Sequence, residues 1–277
     1  MMSHHDMPGS SVAAMLRIAN IDPMDARALL RAALNVSDAY LIAHPEQTLT
    51  GPQRERYLAW VERRRAGEPV AYLTGEREFH SLAFKVTPAV LIPRPETETL
   101  VEAALERLPP DAPRRVLELA TGSGCIAVAI ALKRPRAQVT ATDASGAALA
   151  VARENAARHG AAIEFLESDW FAALAGRRFD LIVCNPPYVA ARDPHLTEGG
   201  LRFEPRAALV GGADGLSCIR LIVAQARAHL EPGGALVIEH GHDQGTRCRM
   251  LLEAAGFREV ASQRDLSGIE RVSGGRV

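Results

Sequence analysis

Apolar side chains in the first part of the chain recur at helical spacing. Val12, Met15, Leu16 and Ile18 form one such run, and Ala26, Leu29, Leu30 and Leu34 a second. Three- and four-residue steps put side chains on one face of a helix. Asp22-Pro23 opens the second run, with a capping carboxylate followed by a proline suited to the first helical position. Tyr57, Leu58, Trp60 and Val61 mark a third helix, entered after Thr50-Gly51-Pro52. Residues 1–74 are therefore expected to form a small helical bundle. Arg63-Arg64-Arg65 closes the third helix and Gly67 stops it. Basic side chains suit a helix C-terminus; the alternative use of this run is a contact surface for an acidic partner.

The period then changes to two. Phe79, Leu82, Phe84, Val86 and Val90 suggest a short hairpin within 75–92. A proline-punctuated, charged segment follows, Leu91-Ile92-Pro93-Arg94-Pro95-Glu96-Thr97-Glu98. Its two prolines restrict the backbone on both sides of Arg94, as a positioning segment requires. A helix is expected from Thr97 to about Leu108, ended by Pro109-Pro110. Beyond Pro113 strands and helices alternate: strands at 115–120, 138–142, 163–166, 181–184 and 235–239, helices at 124–133, 147–159, 215–230 and 243–255, and two last strands. This rhythm predicts an α/β fold with a doubly wound parallel sheet.

Composition agrees with a globular chain: 277 residues, 47% hydrophobic and 23% charged. The formal net charge is −1, without the basic excess of proteins that grip nucleic acid by counterion release. No apolar run reaches the roughly 18–20 residues of a membrane span. The opening MMSHHDMPGS has no basic stretch followed by an apolar one, so a cytoplasmic location is expected. Cys125, Cys184, Cys218 and Cys248 have no zinc-type spacing and are expected as free, mostly buried thiols. His240-Gly241-His242 lacks a third ligand, and no metal is expected.

Two segments carry candidate chemistry. The first expected strand of the alternating region runs through Glu118 into Ala120-Thr121-Gly122-Ser123-Gly124, with a helix following at once. Glycines allow a sharp turn and close backbone approach, and a helix N-terminus adds partial positive charge. The spacing from Gly122 to Ala127 fits the dinucleotide-loop pattern, a weak signal alone. Asp143 ends the next strand about twenty residues on, where a carboxylate accepts ribose hydroxyls; its other use is as a helix cap. Glu118 either touches the ligand or orders the loop. Trp170 is expected to stack on adenine, its other use being to cover the sheet edge, and Asp169 to accept from the adenine amino group. These features do not separate a nicotinamide cofactor from S-adenosylmethionine.

The second segment does. Strand 181–184 leads into Asn185-Pro186-Pro187-Tyr188, at the strand's carboxyl end where ligands bind in such sheets. The Asn185 side-chain oxygen and the Pro186 carbonyl can accept the two hydrogens of a planar –NH2 group, and Tyr188 offers a flat face. Holding both hydrogens favours a pyramidal nitrogen with its lone pair free for a methyl electrophile. Oxygen dipoles there stabilise the positive charge that develops.

Taken together, these residues resemble the release-factor glutamine methyltransferases (the HemK/PrmC family). The resemblance runs through Pro69-Val70-Ala71-Tyr72-Leu73-Thr74-Gly75, the Leu91–Glu98 segment, Thr121-Gly122-Ser123-Gly124, Asn185-Pro186-Pro187-Tyr188 and Glu204-Pro205-Arg206-Ala207-Ala208-Leu209. It continues through Gly233-Gly234 and Glu239-His240-Gly241 to Asp265-Leu266. It implies methyl transfer from S-adenosylmethionine to the glutamine amide of the Gly-Gly-Gln motif in peptide chain release factors. It also implies a helical substrate-recognition domain at 1–74, a hairpin linker at 75–92 and a seven-stranded, Rossmann-like methyltransferase domain at 93–277. The implied cofactor contacts are Ala120, Thr121, Gly122, Ser123, Gly124, Asp143, Trp170 and Asn185. Asn185, Pro186, Pro187 and Tyr188 hold the substrate glutamine, with Asn185, Pro186 and Tyr188 as the catalytic group. A monomer is expected, with no membrane and no direct nucleic-acid contact. The chain departs from the family pattern at Ala120, where glycine is common, and at Glu118, where aspartate is common. His80 stands where an aromatic is frequent, and Glu270 replaces a frequent aspartate before Arg271. The rivals are an adenine-N6 methyltransferase, which would use the same clamp on a flipped base, and a nucleotide-binding scaffold or oxidoreductase, which has no evident use for Asn-Pro-Pro-Tyr.

Overall fold

The structure, a computed structural model, describes residues 10–277. Residues 1–9, with most of the opening stretch read for a signal and the start of the expected bundle, lie outside the described residues. The chain divides into two compact units after Gly75.

The first unit holds α1 (Val12–Ile18), α2 (Pro23–Leu34), α3 (Asp38–Ala43), α4 (Gly51–Arg65) and α5 (Val70–Thr74). Caps set the helix starts. The Asp22 side chain accepts from the Met24 and Asp25 N–H groups ahead of Pro23, and Thr50 and Gln53 form a reciprocal capping box at α4. Val12, Met15, Leu29, Leu30, Tyr57 and Val61 pack into one buried core. The Tyr57 hydroxyl donates to the Met15 carbonyl at 3.3 Å, and burial pushes its pKa up to about 12. The arginine run is used within this unit. Arg63 pairs with Glu68, Arg64 with Asp25, and Arg65 donates to Glu62 and to the Ala19 carbonyl.

The second unit opens with an antiparallel hairpin, β1 (Glu76–Phe79) and β2 (Leu82–Lys85), followed by α6 (Glu98–Glu106). Next come β3 (Arg115–Leu119), α7 (Cys125–Lys133), β4 (Gln138–Asp143), α8 (Gly146–His159), β5 (Ile163–Glu167) and β6 (Phe179–Cys184). The chain ends with α9 (Arg206–Leu209), α10 (Ser217–Ala226), β7 (Leu230–Glu239), α11 (Gly245–Ala254), β8 (Arg258–Arg264) and β9 (Glu270–Arg276). The seven-stranded sheet has the order β5-β4-β3-β6-β7-β9-β8. The expected seven-stranded, doubly wound sheet is present: strands β3 to β7 pair in parallel, and at one edge β9 runs against both β7 and β8. The reason is local: a short turn joins β8 to β9, and a parallel crossover needs a dozen residues or more.

Alternate residues of the central strands bury on opposite faces. Val116, Leu181, Val183 and Val237 join α6, α7 and the hairpin's Phe79 and Phe84 in one core. Leu117, Leu119, Ile182, Leu236 and Ile238 join residues of α10 and α11 in the other. With both faces covered, the strands read as nearly continuous apolar runs. The hairpin is part of this unit's packing. Asn155 of α8, fully buried, accepts the Lys85 N–H at 2.8 Å and donates to the Lys85 and Ser123 carbonyls. Strand order reverses between β3 and β6, so a crevice opens outside their carboxyl ends. Among the described residues no helix is long and apolar enough to cross a membrane.

Candidate active site

The turn after β3 is held from below by Glu118. This side chain is buried, accepts the Thr121 hydroxyl at 2.6 Å and the Ala127 N–H at 3.0 Å, and leaves Oε1 without a partner. Burial pushes its pKa up to about 8, against the opposing effect of those two hydrogen bonds. Of its two expected roles, the geometry is that of ordering the loop. Ala120 carries φ of 55°, a left-handed conformation that strains an L-residue with a Cβ; a glycine would adopt it freely. Gly124 has φ of 79°, and a Cβ there would lie 3.0 Å from the Ala152 Cβ of α8. Its freedom lets α7 start close against α8.

Asp143 closes the turn from the side. Oδ2 accepts the Gly122 N–H at 2.9 Å, and Oδ1 accepts the Ser145 N–H at 2.9 Å. The helix cap itself is Ser145, whose hydroxyl accepts from Ala148. Each carboxylate oxygen has a further lone pair for another donor.

Both chemical segments border one cavity of about 380 Å3, within the roughly 300–1,000 Å3 range of small-molecule sites. Its wall includes Ala120, Thr121, Gly122, Ser123, Asp143, Asp169, Trp170, Asn185 and Pro187. Gly124 stands behind the wall in its packing role. Pro186 is buried and also off the wall. Tyr188, expected to present its ring to a ligand, is likewise off the wall. Its hydroxyl donates to Glu239 Oε1 at 3.3 Å and its carbonyl accepts from Gln244 at 3.0 Å. Burial and the Glu239 carboxylate hold its phenol well above the ordinary range. Asn185 donates through Nδ2 to the Thr97 hydroxyl oxygen at 3.2 Å, leaving Oδ1 as its acceptor.

The segment expected to position something, Leu91–Glu98, supplies another part of the wall. Leu91, Pro93 and Arg94 line it with Pro205, Ala207 and Ala208. Glu204, its side chain 2% exposed, joins the two stretches by accepting the Ile92 N–H at 3.1 Å and pairing with Arg94. A second depression, about 760 Å3, lies at the amino ends of β3 to β6, where Arg177 is already paired with Glu164 and Thr140. His240 is buried between the Gly241 carbonyl and the Ser273 hydroxyl, and burial lowers its pKa. Cys125, Cys184 and Cys248 are buried and Cys218 is partly so, all four as free thiols.

Residues 11–75 match the family described as PrmC N-terminal domain, and residues 97–199 match the Methyltransferase small domain. The release factor glutamine methyltransferase of Burkholderia pseudomallei is 55% identical over 275 residues, covering 97% of this chain and 96% of that protein. The chain belongs to the release factor glutamine methyltransferases. The Escherichia coli member is 46% identical over 254 residues, covering 91% of each chain. A methyltransferase structure from Pyrococcus furiosus, 16% identical with a TM-score of 0.54 over 79% of this chain and 98% of its own, shares the fold. Within this family member, the strained Ala120 sits where the family pattern commonly has glycine. The residues that the sequence left without a role, Thr97, Glu204 and Glu239, all touch the segments it singled out.

Proposed function

We propose that the protein transfers a methyl group from S-adenosylmethionine to the side-chain amide nitrogen of the Gly-Gly-Gln glutamine in peptide chain release factors. The supporting observation is that Asn185, with Oδ1 left as an acceptor, borders the same cavity as the Ala120–Ser123 turn and Asp143.

The cavity suits an adenosine-bearing cofactor. Asp143 offers its remaining lone pairs to ribose hydroxyls, the turn presents backbone toward the ligand, and Trp170 and Asp169 supply an aromatic and an acceptor for the base. Bound there, S-adenosylmethionine supplies an electrophilic methyl group. The chain's own part is to prepare the nitrogen. Asn185 Oδ1 accepts one amide hydrogen, and the Pro186 carbonyl, on a backbone of fixed φ, accepts the other. The nitrogen lone pair is thereby withdrawn from amide resonance, and the two oxygen dipoles stabilise the positive charge that grows on nitrogen. No strong base is required first, because the nitrogen's proton becomes acidic once the methyl group is attached. Pro187 and Tyr188 complete the turn that carries these acceptors.

The helical unit has its own core and contributes none of these groups, and we assign it to recognising the body of the release factor. The formal charge of −1 weighs against an adenine-N6 methyltransferase, which needs a basic path for its polynucleotide. The test is to incubate enzyme and S-adenosylmethionine with a release factor or with adenine-containing oligonucleotides, followed by mass spectrometry. Methyl on the Gly-Gly-Gln glutamine supports the proposal, and methyl on the oligonucleotide alone overturns it.

A further inference from the structure

The segment Glu204–Leu209 has no task in the mechanism above, although it holds a carboxylate out of water. Burying such a group carries a desolvation penalty, and the Glu204 side chain is 2% exposed. Its two partners, the Ile92 N–H and the Arg94 guanidinium, stand 112 and 110 residues earlier in the chain. An apolar side chain would fill the same space and could make neither bond.

The two segments that Glu204 joins each reach the clamp. From Arg94 the chain runs on to Thr97, whose hydroxyl oxygen accepts the Asn185 Nδ2–H at 3.2 Å. From Glu204 it runs through α9 to Leu209, whose carbonyl accepts the Val189 N–H at 2.9 Å, and to Gly211, whose N–H donates to the Val189 carbonyl at 2.9 Å. Gly211 also packs against the tetrapeptide: a Cβ there would lie 2.4 Å from the Pro187 carbonyl oxygen and 2.9 Å from the Tyr188 Cα. Asn-Pro-Pro-Tyr is thus held at its first residue by one segment and at its far end by the other. With Glu204 between those segments, the stretches 92–97, 204–211 and 185–189 make a closed circuit. Each contributes to the cavity wall, Pro93, Ala208 and Asn185 among them.

The tetrapeptide needs such bracing. Two of its four residues are prolines, which supply no N–H with which to fasten the turn. The Pro186 carbonyl is reserved for the substrate. An acceptor stabilises a growing charge best when it is already in place, so both ends of the turn must be held before the amide arrives.

We propose that Glu204 is a positioning residue: by locking the 92–97 segment to the 204–211 segment it closes this circuit and holds Asn185 and the Pro186 carbonyl in place for the substrate amide. This inference rests on the clamp reading of Asn185 and Pro186.

The test measures methylation at saturating S-adenosylmethionine, with a Gly-Gly-Gln peptide and with an intact release factor as acceptors. Glu204→Ala removes both bonds; kcat should fall roughly ten- to a hundred-fold, by the same factor on both acceptors. KM for the peptide should stay within about three-fold, as expected when the loss is in the transition state. Glu204→Gln keeps the length and an oxygen for the Ile92 N–H, and should recover most of the loss. If Glu204→Ala shows no cooperative melt, Glu204→Asp decides instead: it keeps the charge but is one methylene short of its two partners, and its kcat should fall in the same way. Wild-type kcat in the deciding variant, a loss carried by KM alone, or a glutamine variant as slow as the deciding one would overturn the proposal. Asn185→Ala is measured in parallel. If it is slow while the deciding Glu204 variant is normal, only the bracing role falls; if it turns over normally, the clamp and the bracing role fall together.

Discussion

Asp143 Oδ2 accepts the backbone N–H of Gly122 at 2.9 Å, so the end of β4 holds the turn that follows β3. The same carboxylate receives the N–H of Ser145 through its other oxygen. Asp143 therefore shapes the cavity as well as lining it.

Asp143→Ala removes a charged acceptor from both the expected ribose and the turn. Hydrogen bonds to a charge contribute roughly 1.5–3 kcal/mol each, so calorimetry should show S-adenosylmethionine binding about ten- to a hundred-fold weaker. Asp143→Asn, which keeps one oxygen, should lose less. Unchanged affinity in the alanine variant would remove Asp143 from the site.

The buried Glu118 makes stability depend on pH. Its folded pKa is raised to about 8 from an ordinary 4.5. Between those values the folded chain retains a proton that the unfolded chain has released. By linkage, this group's contribution to stability falls as pH rises from about 4.5 to 8. Glu118→Gln cannot ionise, so urea melts should show a flatter pH dependence than wild type, with the variant gaining relative to wild type toward pH 8. Equal slopes would show that Glu118 titrates normally.

The caps at Asp22-Pro23 and Thr50-Gly51-Pro52 made α2 and α4 legible from sequence, because capping is a local chemistry written in adjacent residues. The six residues of α3 and the five of α5 are too few to display a helical period. The nucleotide turn and Asn-Pro-Pro-Tyr were legible for the same reason as the caps: each is a short contiguous segment at a strand end. Thr97 and Glu239 were not. They reach Asn185 and Tyr188 across 88 and 51 residues of chain, and only the convergence of β6, β7 and the segment before α6 brings them together. The reversed β9 follows from the short turn before it, a feature that strand patterns alone do not reveal.

Among the described residues, those up to Gly75 form a unit with its own buried core and none of the cavity-lining side chains. Removing them should raise KM for an intact release factor by far more than for a short Gly-Gly-Gln peptide. Equal losses on both substrates, in a truncated protein whose circular dichroism still shows a cooperative melt, would contradict assigning recognition to this unit.

The central claim is that Asn185 prepares a glutamine amide for methyl transfer, and the most direct measurement is the single-turnover rate at which the Gly-Gly-Gln peptide of a release factor gains one methyl group, followed by mass spectrometry with wild type and Asn185→Ala. Loss of one preorganised partner lowers kcat by about 10²–10³-fold in comparable electrostatic sites. The account predicts methylation on that glutamine by wild type, a fall of this size in the variant, and a much smaller change in S-adenosylmethionine affinity, since Asp143 and the turn remain. Near-normal turnover by Asn185→Ala on an intact release factor would contradict it.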